Sequence, residues 1–325
     1  MIPSPIDHVA PAVRRLVCPM HRFAPVNAWI LGEKGTQLIV DTGMPGAETA
    51  ALWAQSETAG EVAGVEAILC THMHRDHAGQ VPALMRRHGV PLLMTRQEHD
   101  RLSRTIGTAP EAGRAGLQAF RRRLGIASAV AATASPIDYS ALDPFPQDFT
   151  PLEAGMELRL GGMDWQVVLG GGHSVRAACL LAADRSLFLA GDQVLAGAGP
   201  HISVWADAPE ADPLADYLVF LEGLLVLPDS LLVLPGHGAP FRGLGAQAEA
   251  LRRRHEQRLG RLHAGLAGAK SPLEMVGLVF SEQAGRRFAE LLPGMALGLA
   301  NHLWHRGRLR RHVDDEGVFR FETIS

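Results

Sequence analysis

The chain has 325 residues, of which 47% are hydrophobic and 20% are charged. These proportions exclude a disordered protein, and the length predicts one large domain with a smaller one attached. Three cysteines are too few for a disulfide framework and too widely spaced for a zinc site built from cysteine alone. The net charge of −3 is unevenly distributed, because residues 1–238 carry 17 basic and 25 acidic side chains whereas residues 239–325 carry 14 and 9.

The basic C-terminal segment predicts a second module, which could contact an acidic partner or the acidic body of the same chain. The first eight residues lack the basic and apolar stretches of a signal peptide. No apolar run reaches the roughly 18 residues of a membrane span. We therefore expect a cytoplasmic protein without membrane contact.

Strands and helices alternate along most of the chain, which favours an α/β layered fold. The first part contains predicted strands at residues 27–31, 37–40, 65–70 and 91–94, and predicted helices at residues 46–59 and 76–87. Residues 97–150 combine arginine-rich helical stretches with a loop rich in proline, aspartate and serine, and we interpret them as an insertion. Further strands are predicted at residues 157–160, 165–169, 178–181, 187–190 and 231–234, with a helix at 212–225.

The pattern after residue 240 is mainly helical. Helices are predicted at residues 246–266, 272–280, 281–292 and 295–305, followed by a β-hairpin of residues 309–313 and 318–322. Helices followed by a hairpin are the layout of a winged helix. We therefore assign residues 1–240 to the main domain and residues 241–325 to a winged-helix-like domain.

Residues 71–79, with the sequence THMHRDHAG, contain the most informative cluster. His72 and His74 project from one side of an extended chain, and Asp76 and His77 follow where the chain turns into a helix. Imidazole nitrogens combined with carboxylate oxygens suit zinc, and also iron or manganese. A histidine-rich polar loop without a metal is the structural alternative, and three histidines with an aspartate in this pattern argue against it.

Three more candidate ligands repeat one layout, because each follows a predicted strand and has glycine nearby. They are His173, Asp192 and His237. Glycine allows the backbone to bend so that such side chains face a common centre. Each residue alone could be an ordinary turn residue, but the threefold repetition favours a shared metal site.

These motifs resemble those of the metallo-β-lactamase superfamily, most closely its glyoxalase II-like hydrolases. The run HxHxDH at residues 72–77 matches the family signature, and the later candidates match the later metal ligands in order. The resemblance covers about residues 20–240, and the tail resembles the winged-helix module of some members, including an endoribonuclease subgroup. It implies an αββα sandwich with a small, mainly helical C-terminal domain.

The resemblance also implies two divalent metal ions, with zinc expected and iron or manganese as alternatives. The first ion would be bound by His72, His74 and His173. The second would be bound by Asp76, His77 and His237, and Asp192 would bridge both. Two such cations with two carboxylates and a hydroxide have a net charge of about +1, which favours a small anionic substrate.

Three further residues are candidates around this site. Asp41 follows a buried strand, and in the family an aspartate here orients a ligand histidine, although a plain turn aspartate remains possible. Arg176 could bind a carboxylate or phosphate of the substrate, or form an ordinary salt bridge. His201, in a glycine-rich loop after Asp192, could bind substrate or shuttle a proton, or it could be a surface residue.

The resulting hypothesis is a binuclear hydrolase in which a metal-bridging hydroxide, oriented by Asp76, attacks a thioester, ester or lactone. The few tyrosines and lysines argue against glyoxalase II itself, and His74 argues against the redox branch that has glutamate there. One alternative is a phosphodiesterase or endoribonuclease that binds RNA through the basic tail. Another is a DNA-binding regulator with a metal-sensing site. A homodimer is also possible.

Overall fold

A computed structural model describes residues 5–21 and 24–324, apart from the side chain of residue 287. The strands are Ile6–Ala10 (β1), Val13–Cys18 (β2), Val26–Leu31 (β3), Gln37–Val40 (β4), Val65–Leu69 (β5), Leu92–Met94 (β6), Thr150–Pro151 (β7), Glu157–Leu160 (β8), Met163–Gly170 (β9), Ala177–Ala182 (β10), Leu187–Gly191 (β11), Leu232–Pro235 (β12), Leu309–Val313 (β13) and Phe319–Thr323 (β14). The helices are Ala47–Thr58 (α1), Arg75–Ala78 (α2), Val81–His88 (α3), Arg96–Gly107 (α4), Pro110–Arg123 (α5), Ser128–Ala131 (α6), Pro213–Leu224 (α7), Leu244–Gly265 (α8), Pro272–Val279 (α9), Glu282–Phe288 (α10) and Leu292–His305 (α11). No helix in these residues is both long and apolar enough to span a bilayer.

The chain forms two compact units. The first contains the residues up to Gly107 together with Asp138–Pro200 and Leu224–Gln247. The second contains Thr108–Ile137, His201–Gly223 and the residues from Ala248 onwards. These units differ from the sequence-based division at residue 240. Residues 108–137 of the insertion and residues 201–223 belong to the same unit as the C-terminal helices.

Two sheets form the first unit. The larger sheet has seven strands in the order β1 to β7, antiparallel from β1 to β4 and parallel from β4 to β7. The smaller sheet has the order β12-β11-β10-β9-β8 and is antiparallel except for the pair β11–β12. The sequence analysis did not predict β1 and β2, which extend the antiparallel part of the larger sheet.

Alternating side chains of the larger sheet face two different cores, as a strand period of two requires. Trp29 of β3 and Leu38 of β4 pack in one core with Trp165 and Leu180 of the smaller sheet. The other face of the same strands packs in a core with helix residues, including Trp53 of α1. The first unit is therefore a mixed α/β sandwich, with the two sheets face to face and helices covering the outer face of the larger one.

The helix predicted for residues 76–87 is divided into α2 and α3. The backbone between them is tied to Thr42, because Thr42 donates to the carbonyl of His77 and its hydroxyl accepts from the N–H of Gln80. A Cβ atom on Gly79 would lie 2.3 Å from the nitrogen of Pro45, so the chain there is too closely packed for a larger residue. This tertiary contact overrides the helical pattern and fixes the path of the ligand loop.

The second unit joins distant segments around the C-terminal helices and the hairpin β13–β14. Leu273 at the start of α9 donates its N–H to the carbonyl of Leu124 at the end of α5. Asn301 of α11 donates to the carbonyl of Pro209. These bonds explain why residues 108–137 and 201–223 belong to this unit.

Candidate metal centre

The candidate site lies where strands of both sheets of the first unit end. His72 and His74 follow β5, His173 follows β9, Asp192 follows β11 and His237 follows β12. Asp76 and His77 lie in α2, which begins directly after the loop that holds the first two histidines. The fold therefore brings together all seven residues that the sequence proposed as metal ligands, although they span about half of the chain.

Three imidazoles form the first group, with ring nitrogens that face one another. His74 Nδ1 lies 2.9 Å from His72 Nε2 and 3.1 Å from His173 Nε2. A tetrahedral zinc ion with Zn–N bonds of about 2.0–2.1 Å would hold its nitrogen ligands about 3.3 Å apart. The observed separations are close to that value, so these nitrogens fit a shared cation.

The second group contains Asp76, His77 and His237, whose ligand atoms all lie within 4.8 Å of one another. Asp76 Oδ2 is 3.2 Å from His237 Nε2 and 3.6 Å from His77 Nε2. The carboxylate of Asp192 contacts both groups, because Oδ2 is 3.4 Å from His173 Nε2 and Oδ1 is 3.5 Å from His77 Nε2. Asp192 therefore occupies the position between the groups that a bridging ligand requires.

Two atoms of this cluster are buried without a hydrogen-bond partner among the described residues. They are Nε2 of His77 and Oδ1 of Asp192. Leaving such groups unpaired away from water costs about 1–3 kcal/mol each, and more when the group is charged. A cation between them would satisfy both atoms, so the residues present fit a bound divalent metal.

One carboxylate orients histidines of both groups. Asp41 is fully buried, and its Oδ2 is 2.7 Å from His77 Nδ1 and accepts from the Thr71 hydroxyl at 2.9 Å. The Thr71 oxygen in turn lies 3.0 Å from His72 Nδ1. Nδ1 of both histidines therefore donates, which directs Nε2 of each toward the metal position. Asp41 has a left-handed φ of 58°, a conformation that is uncommon outside glycine.

The loop that holds His237 is fixed by residues that the sequence analysis did not single out. His237 Nδ1 donates to the carbonyl of Pro25 at 2.9 Å, which leaves Nε2 for the metal position. Asn27 of β3 donates to the carbonyls at both ends of this loop, those of Pro235 and Gly238. The indole of Trp29 also donates to the carbonyl of Pro235. No local pattern marks these contacts, because the partners lie more than 200 positions apart.

Gly236 allows the closest approach in the site. A Cβ atom there would lie 2.2 Å from Asp192 Oδ1 and 2.8 Å from His77 Cε1. Any side chain would therefore displace the carboxylate that lies between the two groups. Glycine is required at this position by the packing of the metal centre.

The electrostatics of the cluster favour protons on some ligands when no cation is present. Burial lowers the pKa of His237, but Asp192 and Asp76 outweigh it and raise that pKa to about 10. The same balance, in which Asp192 is the strongest of three carboxylates, raises the pKa of His77. Burial and neighbouring imidazoles lower the pKa of His72. A cation must therefore displace protons from two of its ligands.

The other two residues predicted around this site are Arg176 and His201. The side chain of Arg176 is exposed, and its backbone N–H donates to Glu98 of α4 at 2.6 Å. His201 belongs to the second unit, where it contacts Ser203 and Trp205. The substrate-binding roles of Arg176 and His201 stay predictions.

Sequence comparison identifies the family. The sequence profile of the metallo-β-lactamase superfamily matches residues 21–237, a span that contains both groups of candidate ligands. The chain belongs to the metallo-β-lactamase superfamily. Its membership supports a metal-dependent hydrolase. No curated protein sequence matches the chain significantly.

Two solved structures resemble nearly the whole chain, and a third resembles about three quarters of it. A β-lactamase domain protein from Burkholderia ambifaria is 28% identical with a TM-score of 0.81, over 99% of this chain and 96% of that one. A metallo-β-lactamase family protein from Thermus thermophilus is 25% identical with a TM-score of 0.78, over 97% and 99% of the two chains. A metallo-β-lactamase from Pontibacter korlensis, 17% identical with a TM-score of 0.50 over 76% of this chain and 98% of that one, shares the fold alone.

Proposed function

We propose that this chain is a binuclear metal-dependent hydrolase that acts on a thioester, ester or lactone, with zinc as the expected metal and iron or manganese as alternatives. The observation that carries the proposal is the position of Asp192, whose carboxylate lies 3.4 Å from His173 Nε2 of the first group and 3.5 Å from both His77 Nε2 and His237 Nε2 of the second. A single metal ion would leave one of these two groups of ligands unsatisfied. The ligand order also supports a place in the glyoxalase II-like branch.

Two cations bound at the centre would polarise the carbonyl oxygen of the substrate and supply hydroxide near neutral pH. Asp41 and Thr71 would hold the rings of His77 and His72 by accepting from Nδ1 of each, which directs Nε2 of each toward a bound cation. Asp76, with Oδ2 directed at His237, would orient the attacking hydroxide by accepting a hydrogen bond from it. The exposed guanidinium of Arg176 would bind an anionic group of the substrate.

A carbonyl substrate is favoured over RNA because several arginines of the basic tail are already paired. Their acceptors lie within their own unit: Arg252 pairs with Glu249 and Glu256, Arg261 with the carbonyl of Val279, Arg310 with Glu322, and Arg311 with Glu210. Binding RNA would require these pairs to be broken or shared. Phosphodiesterase activity on RNA therefore stays the alternative.

The C-terminal helices and the hairpin β13–β14 follow the order of a winged helix. We propose that they have a structural role and do not bind DNA. The element expected to enter a DNA groove is α11, and nearly all of its residues from Leu292 to Leu303 are buried. A helix without an exposed face offers no side chains to base edges. Homodimer formation and a cytoplasmic location stay predictions from the sequence.

The proposal is tested by measuring metal content and hydrolysis on one sample of purified protein. A panel of thioesters, esters, lactones, phosphodiesters and RNA is assayed before and after removal of metal by a chelator. We expect two metal ions per chain and turnover of carbonyl compounds that is lost with the metal and restored with it. One ion per chain would contradict the binuclear site. Turnover of phosphodiesters alone, with RNA binding that weakens steeply as salt increases, would establish the alternative.

A further inference from the structure

Glu98 of α4 lies outside the ligand set but contacts the loops that hold three of the ligands. It is fully buried, and Oε2 accepts the N–H of Met73 at 3.0 Å. Oε1 accepts the N–H of Arg176 at 2.6 Å. Met73 lies between His72 and His74 in the first loop, and Arg176 lies three residues after His173 in the second. One carboxylate therefore joins the two loops that supply the first group of imidazoles.

The local sequence would suggest a different role for this side chain. Thr95 and Glu98 have the spacing of a capping box, in which the glutamate bonds back to the start of its own helix. Both oxygens of Glu98 accept from the two loops instead. The hydroxyl of Thr95 donates to the carbonyl of Arg176 at 2.7 Å, so residue 176 is held at both its N–H and its carbonyl. The start of α4 therefore anchors the metal loops.

Burying a carboxylate is costly unless its oxygens accept hydrogen bonds, and Glu98 is as fully buried as His72 and His77. Backbone N–H groups are the acceptable partners here because they carry no charge that would compete with a metal ion. A shift of either loop by a fraction of an ångström would lengthen one of these bonds. The same shift would alter the 3.1 Å separation of His74 Nδ1 and His173 Nε2.

We propose that Glu98 is a positioning residue for the metal centre, which sets the distance between the His72–His74 pair and His173 by hydrogen-bonding both of their loops. The inference rests on the proposed function, because these three histidines are the ligands of the first metal ion there. The role requires two acceptor oxygens. Glutamine is therefore insufficient, since its amide group would present a donor to one of the two N–H groups.

The test compares Glu98→Gln with Asp100→Asn, a control that removes an exposed carboxylate from the same helix. The metal-free proteins are titrated with Co²⁺, and its visible absorption bands report the geometry of the ligands. We expect Glu98→Gln to weaken Co²⁺ binding by about 10- to 100-fold and to change the spectrum, as loss of groups that orient metal ligands does elsewhere. Asp100→Asn should match the wild type. Equal affinity and identical spectra in both variants would overturn the proposal.

Two further measurements separate this proposal from the proposed function. Hydrogen exchange of metal-free Glu98→Gln protein should accelerate in the peptides that contain Met73 and Arg176. Unchanged exchange there would overturn the role of Glu98 whatever the protein hydrolyses.

If Glu98→Gln does not fold, the Co²⁺ titration is carried out on Glu98→Asp, which keeps two acceptor oxygens on a shorter side chain. We expect an intermediate loss of Co²⁺ affinity for Glu98→Asp, and wild-type binding would overturn the proposal. Absence of Co²⁺ binding by the wild type would contradict the proposed function instead.

Discussion

Buried charged side chains have different roles in the two units of this protein. In the first unit, His77 Nε2 and Asp192 Oδ1 face each other at 3.5 Å without a hydrogen bond. In the second unit, the guanidinium of Arg311 lies 4.6 Å from the ring centre of Trp304 and 4.2 Å from that of Phe319, and it bonds to Glu210. In the first arrangement the facing nitrogen and oxygen both lack a hydrogen bond, and a cation between them would satisfy both. In the second, Nη2 of the guanidinium bonds to a carboxylate and the group stacks on two rings, so that only Nη1 is buried without a partner among the described residues.

The same contrast holds for neighbouring groups. His302 and Arg306 of the second unit both bond to the carboxylate of Asp212. Arg320 bonds to both Asp314 and Glu274, and Glu274 also closes the capping box of α9 with Ser271. These contacts stabilise a fold and need no ligand. Charge at the metal centre thus indicates function, whereas charge in the second unit indicates stability.

Removing a metal ligand should have the largest effect on activity. If it did not, the contrast between the metal centre and the second unit would not hold. For His74→Ala, we expect a fall in hydrolytic turnover of about 1000-fold or more, because metal ions contribute several kcal/mol to such reactions. Turnover and metal content are measured together, with His8→Ala, an exposed histidine of the same unit, as the control. Wild-type turnover by His74→Ala on every substrate found would refute the mechanism.

Filling the space beside Asp192 should weaken metal binding without removing a ligand. For Gly236→Ala, the new methyl group would overlap Asp192 Oδ1, and we expect metal affinity to fall by about 10- to 100-fold. Competition with a chromogenic chelator measures this affinity. Gly107→Ala is the matched control, since a Cβ atom there meets nothing within 4 Å. Equal affinities for the two variants would show that Asp192 tolerates displacement.

The protons held by the metal-free site should make metal binding depend on pH. Because the pKa of His237 is raised to about 10 and that of His77 is also raised, a metal ion must displace protons at neutral pH. Apparent affinity should therefore increase with pH by about tenfold per unit for each proton displaced. Calorimetric titration between pH 7 and pH 9 in buffers of different ionisation enthalpy counts these protons, and a count of zero would contradict the prediction.

The metal-free protein should show the complementary effect on stability. A histidine whose pKa is higher in the folded state than its usual 6.5 stabilises that state fully below 6.5, and the contribution is lost as the pH approaches the raised value. The free energy of unfolding without metal should therefore fall between pH 7 and pH 10. Chemical denaturation with a chelator present measures it, and a rise over this range would be inconsistent with protonated His237 and His77.

The smallest effect is expected in the second unit, where charged side chains should affect stability and not metal binding. For Arg311→Lys, we expect a loss of about 1 kcal/mol in the free energy of unfolding, because an ammonium group cannot stack on both rings as a planar guanidinium does. Urea denaturation measures this loss. Arg310→Lys, at a largely exposed side chain, is the control and should change little. Metal content should stay at the wild-type value in both, since all candidate ligands lie in the first unit.

Most strands of the sandwich and all seven candidate ligands could be read from the sequence. Strands such as β3, β4 and β9 have regular hydrophobic patterns, and four of the ligands lie within six consecutive residues, 72–77. The division of the helix predicted for 76–87 was missed because Thr42, far away in sequence, bonds to its backbone. The domain boundary at residue 240 stays a prediction. Hydrogen bonds such as that between Leu273 and Leu124, which link segments of the second unit, leave no local pattern in the sequence.

The sequence by itself determined the kind of chemistry, because ligand type and order depend only on which residues follow which strands. Tertiary structure decided how these ligands are held. Asp41 bonds to His77 directly and to His72 through Thr71. Asn27 holds the loop of His237, and Glu98 joins two other loops. Each of these contacts includes groups that folding brings together from distant positions. Their geometry follows from packing, which neither periodicity nor spacing in the sequence specifies.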